Sequence, residues 1–84
     1  MSYPTGLRMD DGKQEFLIAL GAHIRKVREE QGISGAELAR RCHMDKQNIH
    51  RLEKGEFSPT VWYLSKICKG LDITISQLLN NYDI

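Results

Sequence analysis

Four stretches of this chain begin in the same way. An apolar residue precedes a side chain able to cap a helix, and a second apolar residue stands five positions after the first: Ile33-Ser34 with Leu38, Met44-Asp45 with Ile49, Phe57-Ser58 with Trp62, and Ile73-Thr74 with Leu78. On a helix that spacing lays the residue before the cap against the fourth helical residue, a hydrophobic staple that sets the angle at which the chain enters. Glu37 and Gln77 stand three residues after Ser34 and Thr74 and complete two capping boxes. Pro59 follows Ser58 at a first helical position, where a missing N–H loses nothing. A fifth amphipathic segment precedes these. Leu17, Leu20, Ile24 and Val27, with Phe16 beside them, form one apolar face between Lys13 and Gln31. Gly32 supplies a left-handed stop, and Ile33 can fold back on the last turn. No alternating strand pattern occurs. The chain is therefore expected to be all-α, with five helices near 13–31, 35–42, 46–54, 59–69 and 75–82. Residues 1–11 hold Pro, Gly, Ser and Thr without an apolar period and are expected to form a flexible arm, leaving one domain over 12–84.

At 84 residues one domain is the expectation, and a domain of this size buries only roughly 60–65% of its unfolded surface. Local helix signals and association between copies therefore carry unusual weight. There is no run of about 18 apolar residues to span a membrane and no basic-then-apolar leader at the N-terminus, so a cytoplasmic location is expected. Cys42 and Cys68 both fall on apolar helix positions and read as reduced core thiols. The 12 basic and 11 acidic residues give a net charge of +1, but the balance is uneven. Residues 25–54 carry eight basic and five acidic side chains, whereas residues 1–24 carry two and three. A local surplus of cations is a modest pointer toward a polyanionic partner.

The second and third helices form a close pair. Leu38, Ala39 and Cys42 face inward on one, Ile49 and Leu52 on the other, and Ala39 is small where the two must cross. The link is only His43-Met44 with Asp45 as cap. A turn this short needs one residue at positive φ, and His43 is the candidate, since His tolerates that region better than most. The outward side of the third helix carries Gln47, Arg51 and Lys54 at i, i+4 and i+7, flanked by Lys46, Asn48 and His50. Long hydrogen-bonding side chains on a helix held out by a partner helix suit the reading of base edges in the major groove. By charge alone Lys46, Lys54, Arg40 and Arg41 suit phosphate or solvent better than sequence reading. Ile75, Leu78, Leu79 and Tyr82, trailed by Ile84, give the last helix an apolar stripe wider than one small core requires.

Ile24-Arg25-x-x-Arg28, Gly32-Ile33-Ser34, Glu37-Leu38-Ala39-Arg40, Ile49-x-Arg51-Leu52-Glu53-x-Gly55, Ser58-Pro59 and the ending from Leu71-Asp72-Ile73 to Leu78-Leu79 follow one pattern. Over about residues 17–82 the chain resembles the Cro/phage-repressor helix-turn-helix family, also called the XRE family of bacterial regulators. The resemblance implies a five-helix, lambda-repressor-like bundle, dimeric on double-stranded DNA, with the third helix in the major groove. It implies that Lys46, Gln47, Asn48 and Arg51 face bases. Ser34 and Gly35, with the loop Gly55, Phe57 and Ser58, would hold phosphates, joined by Arg40, His50 and Lys54. Arg28 and Glu53 match a structural salt bridge between the first and third helices. Ile75, Leu79, Tyr82 and Ile84 would form a homodimer contact. Family members commonly carry Gln where Gly35 stands and Gly where His43 stands. One DNA contact is thus expected to be missing here and the turn to be strained. Asp45 and Glu56 set carboxylates close to where phosphates would lie.

Two other functions use the same fold: an antitoxin that represses its own operon and binds a toxin protein, and an interaction module that has lost DNA binding. Glu56, Gly35, Asp45 and the near-neutral charge favour the second. Cys42, His43 and His50 lack the spacing of a zinc site, and a small helical bundle offers no deep pocket for catalysis. No enzyme activity, metal, cofactor or small-molecule substrate is expected. Trp62 is expected in the core and Tyr63 at the surface.

Overall fold

The structure is a computed structural model and describes residues 12–80. The arm expected over residues 1–11, and Tyr82 and Ile84 of the expected dimer contact, lie outside the described residues. Within them the chain forms α1 (Lys13–Glu30), α2 (Gly35–Cys42), α3 (Lys46–Glu53), α4 (Val61–Gly70) and α5 (Ile75–Asn80), with no strand. The third helix packs against both α1 and α2, α4 packs on α2, and α5 on α4. Leu20, Ile24, Leu38, Ile49, Leu52, Ile67, Leu71 and Leu78 meet in one core, with Ala39 at the α2 crossing and both cysteines inside. The two thiols are free and buried. Burial pushes both up from the ordinary cysteine range, which leaves them protonated and unreactive at neutral pH.

Three of the four expected helix starts sit where the sequence puts them. The Ser34 hydroxyl accepts the Glu37 N–H at 3.0 Å and an Asp45 carboxylate oxygen accepts the Gln47 N–H at 3.0 Å. Thr74 and Gln77 form the reciprocal box, with both bonds at 2.9 Å. At Ser34 the box is half made, because the Glu37 carboxylate turns to Arg40 and Arg41 instead. The fourth start differs. Thr60, not Ser58, caps α4, accepting the Tyr63 N–H at 3.0 Å, and Pro59 stays outside the helix. Each residue of displacement rotates a helix face by ~100°. Tyr63 therefore turns inward and meets Phe57 in a T-shaped contact at 5.4 Å between centroids, while Trp62, expected in the core, is 66% exposed. Along the apolar stripe of α5, Leu78 is fully buried and Ile75 and Leu79 pack half-buried on the core.

The helix ends share a closing device as well. At α1, α3 and α4 the residue after the cap bonds back to the third-last carbonyl region in the paired pattern of a Schellman motif: Gly32 to Glu29 and Ile33 to Arg28, Gly55 to Leu52 and Glu56 to Arg51, Asp72 to Lys69 and Ile73 to Cys68. The α2 end closes likewise through His43 to Arg40 and Met44 to Ala39. Each closure needs one left-handed residue. Glycine fills the place at 32 and 55, but His43 (φ 56°) and Asp72 (φ 59°) do so with a Cβ. A side chain in that region is strained by roughly 1–2 kcal/mol. His43 is exposed, so His43→Gly is expected to raise stability by about 0.5–1 kcal/mol. Urea unfolding of the two proteins checks this; an unchanged or lowered midpoint would show that the turn is relaxed as it stands.

Candidate nucleic-acid interface

Recognition by α3 requires one face clamped and the opposite face free. Ile49 and Leu52 are each 1% exposed, whereas Lys46, Gln47, Asn48, His50, Arg51 and Lys54 are all exposed. The helix is held at its start by the Asp45 cap, at its end by the Gly55 closure, and along its inner edge by an ion pair. Arg28 of α1 donates through Nε and Nη2 to the two carboxylate oxygens of Glu53 at 2.7 and 3.0 Å, and its Nη1 donates to the Ile33 carbonyl at 2.9 Å. The side chains are only 12% and 7% exposed. The hydrogen bond with Glu53 holds the Arg28 guanidinium above its already high ordinary pKa, so the arginine stays charged at any working pH. One planar fork thus ties α1, the α1–α2 turn and α3 together.

Between the N-terminus of α2 and the outward face of α3 runs a cleft of about 500 Å³, lined by Ser34, Gly35, Lys46, Gln47 and His50 and by the Arg28–Glu53 pair. The first N–H groups of a helix have no intrahelical acceptor and attract anions, so Ser34 and Gly35 and the α3 side chains approach one another across a space open to solvent. A Cβ built at Gly35 would meet nothing within 4 Å, so the space a longer side chain would occupy there is empty.

Arg51 is not loose. Its Nε lies 3.6 Å from the Glu56 carboxylate, and its guanidinium sits 5.6 Å from the centroid of the Phe57 ring. Glu56, read from sequence as a misplaced carboxylate, therefore steers the arginine of α3. The signal available was the tight glycine turn, which folds residue 56 back over the last turn of α3. Arg40 is exposed and shares Glu37 with Arg41. Arg41 also donates to the Gly70 carbonyl at 3.3 Å, which ties it to α4. Lys54 caps α3 and is exposed.

One expected phosphate contact does not fit the geometry. Gly55 is buried and its N–H is committed to the Leu52 carbonyl at 3.0 Å; a Cβ there would come within 2.7 Å of the Ile18 backbone. The Glu56 N–H is likewise used on Arg51. Of that loop, Ser58 is exposed and Phe57 half-buried. Among the described residues, no group of three or more His, Cys, Asp or Glu side chains could hold a metal, and no helix is long and apolar enough to cross a membrane.

Comparison with known proteins agrees with this arrangement. A family model described as Helix-turn-helix matches residues 24–78. The HTH-type transcriptional regulator SinR of Bacillus licheniformis is 31% identical over 65 residues, a match covering 76% of this chain; the chain spans 59% of that relative's length. Among solved structures, the restriction-modification controller protein C.AhdI from Aeromonas hydrophila superposes with a TM-score of 0.74 at 25% identity, over 76% of this chain and 97% of that one. The controller protein C.Esp1396I, solved as a tetramer with its natural 35 base-pair operator, superposes with a TM-score of 0.72 at 26% identity, over 76% of this chain and 84% of that one. With its capped helix pair, its salt-bridged third helix and these matches, the chain belongs to the Cro/phage-repressor-type helix-turn-helix family of DNA-binding transcriptional regulators.

Proposed function

We propose that this chain is a repressor-like transcriptional regulator that binds double-stranded DNA in a sequence-specific way, as a cytoplasmic homodimer. The observation that carries the reading is the two-sidedness of α3: Ile49 and Leu52 are sealed in the core while six polar side chains are exposed on the other side. In this reading α3 lies in the major groove, with Gln47 and Arg51 reading base edges, Arg51 pairing with guanine through two bonds and Gln47 with adenine. Lys46 and Asn48 flank them at the start of the helix. Backbone N–H groups at Ser34 and Gly35, with Arg40, His50, Lys54 and Ser58, bind phosphates and supply most of the affinity and its salt dependence. Arg51 exchanges Glu56 for a base on binding. The exchange is cheap, because an exposed ion pair of this kind is worth only ~0–1 kcal/mol. Ile75 and Leu79 would join two copies so that their α3 helices meet half-sites about 34–36 Å apart. The 35 base-pair operator in the C.Esp1396I complex makes a duplex of that length a reasonable first probe.

Selection of bound fragments from a random DNA pool tests affinity, site and spacing together. Arg51→Ala is expected to weaken the selected site by about 1–3 kcal/mol and to relax one base position. If the variant weakens every sequence to the same degree, Arg51 touches phosphate rather than base. If no fragment is enriched at low salt, the DNA-binding reading itself falls.

A further inference from the structure

The only tryptophan of the chain stands in the open. Trp62 is 66% exposed and Val61 beside it 75%, in a domain whose other large apolar side chains are, with the exception of Ile18, at least partly covered among the described residues. The Lys66 ammonium lies 4.7 Å from the centroid of the Trp62 ring, a cation–π contact one turn along α4. From the ring a groove of about 790 Å³ runs between α4 and the end of α2, past Lys66 and Lys69 on one wall and Arg41 on the other, with Cys42 and Gly70 in its lining and Asp72 at the end of α4. It shares no residue with the cleft between α2 and α3.

Three features of this groove point to one kind of occupant. A rigid aromatic ring left in water is the residue type that most often dominates a protein interface, and large exposed apolar side chains in a cluster usually have a partner. The lining holds Arg41, Lys66 and Lys69 against the single carboxylate of Asp72, a surplus of two positive charges. Neither Lys66 nor Lys69 has a carboxylate partner among the described residues, as holds for every described lysine, whereas Arg41 is already paired with Glu37. Lysines without a carboxylate partner around a half-apolar trough suit carboxylates that flank an apolar side chain. A nucleic-acid backbone would use the cations but not the trough, and no residue of the α3 outward face reaches it. A second copy docked groove to groove would bring its own lysines against these and be repelled. We propose that the α2–α4 groove around Trp62 docks an acidic segment of another protein, with an aromatic or aliphatic side chain of that segment against Trp62 and its carboxylates on Lys66 and Lys69.

The groove's own tryptophan makes the proposal measurable. A random-peptide display library is panned on the full chain, with the Trp62→Ala, Lys66→Ala and Lys69→Ala variants as counter-selection. The enriched peptides are then titrated while Trp62 emission is followed. The expected result is a set of peptides with net negative charge and one large apolar residue. Their binding shifts the emission to the blue, weakens as salt is raised, and falls about thirtyfold in Trp62→Ala, the loss typical of a dominant interface residue; in that variant a dye on the peptide replaces the tryptophan signal. Circular dichroism and an unchanged unfolding midpoint show that the substitutions leave the fold intact. No enrichment over the variants, or enrichment of neutral or basic peptides, overturns the proposal. So does a blue shift that appears on concentrating the protein alone, which would assign the groove to a second copy. The same variants are expected to hold DNA affinity within about twofold, since rim charges away from the duplex contribute little. A loss matching that of Arg51→Ala would assign the groove to DNA instead. A failure of DNA binding in the parent chain, by contrast, leaves the peptide result standing.

Discussion

Replacing Glu53 by Ala is expected to lower the free energy of unfolding by about 3–5 kcal/mol. The figure follows from what remains behind. Arg28 is 12% exposed, and without the carboxylate its guanidinium keeps only the Ile33 carbonyl as an acceptor. An arginine cannot shed its proton to escape, so a charge stays in the interior with two of its three bonds unmade. Domains of this size are stable by only about 5–15 kcal/mol, so the variant sits close to unfolding. Urea denaturation followed by circular dichroism measures the loss. The loss belongs to the stranded charge rather than to the missing bonds, and a second variant separates the two. Arg28→Met combined with Glu53→Met removes both charges and keeps apolar volume, and should recover most of the stability. A loss below about 1 kcal/mol in Glu53→Ala, the worth of an ordinary hydrogen bond, would mean that water reaches Arg28 and that the fork is not what holds α3 to α1.

A methyl group at position 21 is expected to be nearly as harmful, for a different reason. Gly21 is buried on α1 where α3 passes, and a Cβ there would lie 2.4 Å from the Leu52 carbonyl oxygen and 2.6 Å from that of Glu53. Both obstacles are backbone, so no side chain can swing aside and the two helices must separate. Overpacking of this sort costs about 1–3 kcal/mol and at times more, and Gly21→Ala belongs at the top of that range. Gly35→Ala is the control: with nothing within 4 Å, a methyl there should leave the unfolding midpoint unchanged or slightly raised. Equal midpoints for the two alanine variants would show that α1 and α3 do not approach as closely as drawn. The displacement also reaches function, since the helices part on the side that seats Leu52, and under the proposed reading Gly21→Ala loses more DNA affinity than its residual folded fraction explains.

The helices and most of their ends were legible in the chain because caps are local. Ser34, Asp45 and Thr74 each satisfy N–H groups within three residues, and Gly32 and His43 stand where the spacing calls for a left-handed turn. The start of α4 was misread because Ser58-Pro59 and Thr60 obey the same grammar, and propensity does not choose between two hydroxyl caps two residues apart. A better signal was present. Trp62 shares its stripe with Ser65, Lys66 and Lys69, all polar, while Tyr63 shares its own with Ile67 and Leu71. Asp72 at positive φ was missed because aspartate marks loops generally and its left-handed geometry depends on Ile73 reaching back to Cys68. Of the interface, the exposed face of α3 follows from the 3.6-residue period. The hold of Glu56 on Arg51, the burial of Gly55 and the emptiness beside Gly35 are products of tertiary packing and could not be read from spacing.

Each of the four described helix ends closes on its own backbone within two residues, and α3 is fastened at start, finish and flank. Such a reading head has no hinge with which to adapt. Under the proposed function the duplex must then do the bending. Base steps that kink or compress with little resistance would be selected at positions no side chain touches, and the mechanics of the double helix would become part of the address this protein recognises.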